Sequence, residues 1–178
     1  MNALNTALQQ TQTTTKETIL SLPHQLKAQL PLSTKLAQQI ADQRQTIQNI
    51  LEGKDHRLMI VTGPCSIHDP ISALEYAQKL QQLQSQVSDQ IFLVMRAYIE
   101  KPRTTIGWKG FLYDPNLDNS SNMQLGLEKS RELYLQIIDM GLPIAAEILS
   151  PMATAYFDDL LAWGAIGART SESQIHRE

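Results

Sequence analysis

The chain has a single cysteine among 178 residues, which excludes an intramolecular disulfide framework and makes a reducing, cytoplasmic setting the expectation. Aromatic residues are scarce at 6%, and the charge is nearly balanced, with 15 Lys and Arg against 18 Asp and Glu for a net of -3. So mild an acidity with so few stacking side chains does not fit general nucleic-acid binding. The longest strictly apolar run, Ile91 to Met95, falls far short of the roughly 20 residues that a membrane span requires. No apolar run is followed by Gly-x-Gly-x-x-Gly, and neither Gly-Lys-Ser nor Gly-Lys-Thr occurs, so dinucleotide and P-loop sites have no support. What remains is 42% apolar and 19% charged residues, the composition of one domain with a core of its own.

The first sixteen residues read as a disordered leader. Ten of them are Asn, Gln or Thr, and they lack the basic start and apolar stretch of a secretory signal and the arginines of a transit peptide. From 18 to 34 an apolar series (Ile19, Leu20, Leu22, Leu26, Leu30, Leu32) is broken by Pro23 and Pro31. This stretch is expected to pack on something without joining a sheet. We divide the chain into an N-terminal arm, 1–34, flexible at its start, and a domain over 35–178.

Beyond the arm, two periods alternate. Ser33 or Thr34 can cap a helix carrying Leu36, Ile40, Ile47, Ile50 and Leu51, with Gly53 as its stop. Leu58 to Val61 is wholly apolar, as strands of a parallel sheet covered on both faces are. Asp69-Pro70 opens a second helix with Leu74, Ala77, Leu80 and Leu83 on one side. Ile91 to Met95 is the next strand, and a long loop rich in Pro, Gly, Asp and Asn runs from about Ile99 to Ser121. Leu127, Leu133, Tyr134, Ile137 and Ile138 mark a third helix ending at Gly141, and Pro143 to Ala146 a third strand. Ala155 to Trp163 reads as helical and Ala165 to Ala168 as a fourth strand. Alternating strands and helices predict parallel α/β architecture with right-handed crossovers, either an open doubly wound sheet or part of a closed barrel.

Such folds place their chemistry at the carboxyl ends of the strands. Read in order, those ends deliver Cys65, Arg96, Glu147 and Arg169. The loop after the second strand adds Lys101, Arg103 and Lys109 against one acid, Glu100, with hydroxyls at Thr104 and Thr105. With Arg96 counted, a local charge of +3 inside a chain of -3 is either a solvated basic loop or one wall of a pocket for an anionic small molecule. The nearby strand-end arginines favour the pocket, because a guanidinium fork matches carboxylate and phosphate. Cys65 reads either as a small buried hydrophobe or as a thiolate ligand or nucleophile. His68, three residues on, makes Cys-x-x-His, which is half of a metal motif at most. Glu147 could accept hydrogen bonds, exchange protons or balance charge, and spacing leaves these open.

The stretch Gly63-Pro64-Cys65-Ser66-Ile67-His68-Asp69-Pro70 resembles a hallmark of 3-deoxy-D-arabino-heptulosonate 7-phosphate (DAHP) synthase of the class I, aromatic-amino-acid-sensitive type. Met95-Arg96, Glu100 to Gly110 (EKPRTTIGWKG) and Gly164 to Thr170 (GAIGART) carry the same resemblance, in the same order, and it runs from about Leu26 to the last residue. The family implies a (β/α)8 barrel with N-terminal helical additions, of which this chain would hold about the first four β/α units. A full barrel takes roughly 250 residues. The resemblance therefore implies an N-terminal half, inactive alone, or else a non-catalytic piece that docks on an intact synthase; a different phosphosugar-binding barrel enzyme is the other alternative. It implies condensation of phosphoenolpyruvate with D-erythrose 4-phosphate, releasing phosphate, at the head of the shikimate pathway and aromatic amino acid biosynthesis. By motif, Cys65 resembles a ligand of a divalent metal of the Mn, Fe or Co type, with the other ligands outside this chain. Arg96 and Arg169 resemble the cations that hold phosphoenolpyruvate, with the Ala168 backbone beside them. Lys101 would sit between the substrates, Arg103 and Thr104 at the aldose phosphate, and Glu147 in the active site. An aromatic amino acid as feedback inhibitor and a homo-oligomer are implied as well.

Overall fold

The computed structural model describes residues 19–102 and 107–166. Nine elements follow one another: α1 (Pro23–Gln29), α2 (Thr34–Leu51), β1 (Leu58–Thr62), α3 (Pro70–Val87), β2 (Ile91–Arg96), α4 (Met123–Asp139), β3 (Ile144–Ile148), α5 (Pro151–Thr154) and β4 (Trp163–Ile166). Each long helix starts where a short polar side chain can satisfy free backbone N–H groups. The Ser33 hydroxyl accepts from the Leu36 N–H at 3.3 Å, and the Asn122 amide oxygen accepts from Leu125 at 3.2 Å. The Asp69 carboxylate takes the Ile71 and Ser72 N–H groups, both at 3.1 Å, and Pro70 presets the first helical φ.

The four strands are parallel and lie in sequence order, β1-β2-β3-β4. A doubly wound sheet reverses its strand order part-way; this one does not. The register is staggered as well, since β3 begins opposite the end of β2, with Met95 facing Ile144 and Arg96 facing Ala145. Sequential parallel strands with such a stagger between β2 and β3 curl into a barrel wall, here half of one.

Side-chain alternation separates the two faces. Leu93, Met95, Ile144 and Ala146 point into the main core with Ala77, Leu80, Leu133, Tyr134 and Ile137 of the helices. Phe92, Val94 and Ala145 face the other way, into a second cluster with Ile47 and Ile50 of α2, Met59 and Trp163. Arg96 and Glu147 continue that concave face toward the carboxyl ends of the strands, two residues beyond Val94 and Ala145. Among the described residues no helix is long and apolar enough to cross a membrane.

The 18–34 stretch packs without joining the sheet, as expected: it carries the short helix α1, with Pro23 at its first position, where no N–H is needed, and with Leu26 fully buried. Three expectations are corrected. Residues 155–163 are not a helix: the helical turn is Pro151–Thr154, residues 155–160 are turns, and Trp163 opens β4 opposite Ala145. The fourth strand thus starts two residues earlier than Ala165; Gly167 and Ala168 lie outside the described residues. On α3, Leu83 is 45% exposed, one turn beyond Leu80, the last buried residue of that helix.

Candidate active site

Cys65 follows β1 on a loop that leans on β2. The Ile67 N–H donates to the Tyr98 carbonyl at 2.8 Å and the Ser66 hydroxyl reaches the same oxygen at 3.4 Å. Glycine is required just before it, since a Cβ on Gly63 would collide with the Arg96 carbonyl. The ends of β1 and β2 are therefore pressed together, and the loop they share exposes the Cys65 thiol to solvent. The buried-hydrophobe reading of Cys65 does not hold.

Arg96, the last residue of β2, is fixed from two sides. Its Nε donates to the Pro64 carbonyl at 2.9 Å, and its guanidinium lies over the Tyr98 ring, 5.0 Å from the centroid. Lys101 places its Nζ 3.4 Å from the Cys65 sulfur. Its own backbone is tied down, since the Lys101 N–H donates to the Lys109 carbonyl at 2.9 Å and the Leu112 N–H to the Ile99 carbonyl at 3.0 Å. The fold-back needs Gly110, whose φ is +115° and whose absent Cβ leaves room for the Ile99 carbonyl.

Between these two residues Glu100 turns inward, with 7% exposure. Its Oε1 accepts from the Tyr113 hydroxyl at 2.8 Å, and the backbone N–H groups of Ser150 and Leu149 point at its carboxylate. Burial pushes the Glu100 carboxyl above the ordinary 4.5, and the three donors only partly offset it. The Tyr113 phenol is driven upward too, by burial and then by the Glu100 charge. Burial, followed by the Glu147 carboxylate, also raises Tyr98, with Arg96 opposing.

Cys65, Arg96, Tyr98, Glu100, Lys101, Pro102 and Glu147 line one open cleft of about 230 Å³ at the carboxyl edge of the sheet. Cys65, Arg96, Lys101 and Glu147 were expected from the sequence; Arg103, Thr104, Ala168 and Arg169 lie outside the described residues. Lys109 is exposed and does not line the cleft. Tyr98, Glu100 and Tyr113 were not singled out. A signal existed for two of them, because Arg96, Tyr98 and Glu100 keep the two-residue period of β2 beyond its end and share one face.

The cleft offers fixed cations to an anion and a thiol to a soft or borderline metal. As a metal site it is partial. Among the described residues no group of three or more His, Cys, Asp and Glu side chains could hold an ion, and His68 is exposed without joining one. Cys65 supplies one donor.

The sequence pattern of the DAHP synthetase I family matches residues 29–178. The chain belongs to that family. It is 54% identical over 164 residues to the Tyr-sensitive phospho-2-dehydro-3-deoxyheptonate aldolase of Escherichia coli (strain K12), a match covering 92% of this chain and 46% of that protein. To the Phe-sensitive aldolase of the same organism it is 50% identical over 156 residues, covering 88% and 45%. A solved structure of phospho-2-dehydro-3-deoxyheptonate aldolase from Francisella tularensis SCHU S4 superposes with a TM-score of 0.88 at 48% identity, over 92% of this chain and 48% of that one. The DAHP synthetase I chain described here thus spans about half the length of the curated relatives it matches.

Proposed function

We propose that the chain is part of an enzyme that condenses phosphoenolpyruvate with D-erythrose 4-phosphate to DAHP and phosphate, the first step of aromatic amino acid biosynthesis. The observation that carries this reading is the cleft itself, where Cys65, Arg96, Lys101 and Glu147 meet at the carboxyl edge of the sheet. Arg96 spends Nε on Pro64 and its flat face on Tyr98, which leaves its terminal N–H groups for the phosphate or carboxylate of phosphoenolpyruvate. Arg169 and the Ala168 N–H complete that anion site, and Arg103 with Thr104 receives the phosphate of the aldose. Lys101, whose Nζ lies 3.4 Å from the Cys65 sulfur, would donate a proton or hydrogen bond to the aldehyde oxygen as the new carbon–carbon bond forms. Glu147, which lines the same cleft, would handle protons. Cys65 would hold a divalent metal together with donors from outside the described residues; when bound, that ion would polarise the aldehyde as a Lewis acid.

With about half the relatives' length, the 178 residues are expected to be inactive alone. Control by an aromatic amino acid, a homo-oligomeric assembly and a cytoplasmic location belong to the same proposal; the relatives' own names carry Tyr and Phe sensitivity. The test is phosphate release from the two substrates by this segment joined to the remaining half of a family member. Turnover should appear, Cys65→Ala should abolish that metal-dependent turnover, and Lys101→Met should lower kcat by about 10²- to 10⁴-fold. Undiminished activity in either variant would show that the roles are assigned to the wrong residues.

A further inference from the structure

Glu100 stands directly before Lys101 and carries a charge to which the proposed reaction gives no role. The residue is buried, and a carboxylate is costly to keep there unless it is bound. Its Oε1 accepts from the Tyr113 hydroxyl at 2.8 Å, across the loop that leaves β2 and folds back on itself. The two arms of that loop are joined on both sides of Glu100. The Lys101 N–H donates to the Lys109 carbonyl at 2.9 Å, and the Leu112 N–H to the Ile99 carbonyl at 3.0 Å. With Tyr134, Ala146 and Glu147, Glu100 also lines a small cavity of about 20 Å³, which seats it beside the end of β3. An apolar side chain could fill that space, but it could not take the Tyr113 hydroxyl; what the carboxylate adds is direction. From this backbone the Lys101 side chain reaches the Cys65 sulfur, 3.4 Å from its Nζ. A tilt of the backbone is magnified along the flexible four-carbon stem, so the ammonium stays where it is only if its root does.

We propose that Glu100 is a positioning residue: anchored by Tyr113 beside β3, it holds Lys101 so that the ammonium stands at the Cys65 thiol in the cleft. Its service to catalysis rests on the synthase reading, in which Lys101 meets the aldehyde oxygen. The placement itself does not.

The 178-residue chain has one cysteine, and it is exposed, so thiol reagents report on Cys65 alone. The informative quantity is the rate with anionic 2-sulfonatoethyl methanethiosulfonate divided by the rate with neutral methyl methanethiosulfonate, both in EDTA. This ratio senses positive charge beside the sulfur and cancels any change in the thiol itself. Lys101→Met should lower it about fivefold, the effect of one charge about 4 Å away in water. Glu100→Ala should lower it at least about threefold, although loss of a carboxylate would by itself raise it. Glu100→Gln, which still accepts from Tyr113, should restore most of the loss. Tyr113→Phe alters no charge near neutral pH and should lower the ratio about twofold, while Ile137→Val, a buried change in α4, should leave it as it was. A ratio that stays or rises in Glu100→Ala overturns the proposal. If circular dichroism shows that this variant does not fold, an unchanged ratio in Tyr113→Phe overturns it instead. In the joined protein, Glu100→Ala should lower kcat at least about tenfold with KM within about twofold, and an unchanged kcat sinks the positioning role in catalysis. Should the unaltered joined protein release no phosphate, the synthase reading fails, and the reagent ratio still decides what holds Lys101.

Discussion

Glu100 shows how one side chain can be read two ways. In the sequence it is the lone acid in a basic loop, an ordinary solvent-facing counter-charge. In the fold it is buried, clasped by Tyr113 and by the backbone at Leu149 and Ser150, and it holds the Lys101 segment against the end of β3. Its carboxyl titrates above 4.5 in the folded state, so the native chain binds that proton more tightly than the unfolded chain does. The associated stabilisation is fully present below about pH 4.5 and is lost as pH rises through the elevated folded value. Urea midpoints measured between pH 4.5 and pH 7 should therefore drift downward relative to Glu100→Gln, which carries no such charge. A constant difference between the two proteins across that range would contradict this.

At the scale of elements, the strands and long helices were legible because their signals are local. The apolar runs at Leu58 and Ile91 gave β1 and β2, and Ser33, Asp69-Pro70 and Gly141 punctuated the helices as expected. Where tertiary contacts decide, the reading failed. Trp163 looks like the end of an amphipathic helix, yet pairing with Ala145 makes it strand. The α1 stretch, by contrast, packs outside the sheet as its apolar series implied, through the buried Leu26. Arg131 of α4 is wholly buried, and its guanidinium donates to the Leu30 carbonyl at 2.8 Å, to the Tyr156 carbonyl at 3.0 Å and to both Asp159 oxygens at 2.9 and 2.7 Å. One side chain thereby ties the end of the arm and the β3–β4 connection to α4, and no spacing rule could reveal it. Arg131→Ala should cost about 3 to 5 kcal/mol in denaturant unfolding, because it strands a carboxylate and two carbonyls together. A loss below about 1 kcal/mol would mean that the cluster is dispensable.

For the whole molecule, the parallel strands and the meeting of Cys65, Arg96, Lys101 and Glu147 at their carboxyl edge were readable from sequence, and the half-barrel curl was expected only through family resemblance. The consequence is a sheet with two outer strands, each offering apolar side chains. On β1 Leu58 is 63% exposed, and on β4 Ile166 is 59% exposed. Unprotected parallel edges invite further strands. Concentration-dependent light scattering by the 178-residue chain should fall when Leu58 and Ile166 are replaced by Lys, without loss of helical circular dichroism. Scattering that does not change would place the sticky surface elsewhere.

The Tyr98 carbonyl, which receives both the Ile67 N–H and the Ser66 hydroxyl, has a mechanical consequence. Tyr98 also supports the Arg96 guanidinium with its ring, so thiol and guanidinium ride on one mount. Any displacement of Tyr98 would therefore carry both groups with it, so the spacing between them would change less than the position of either.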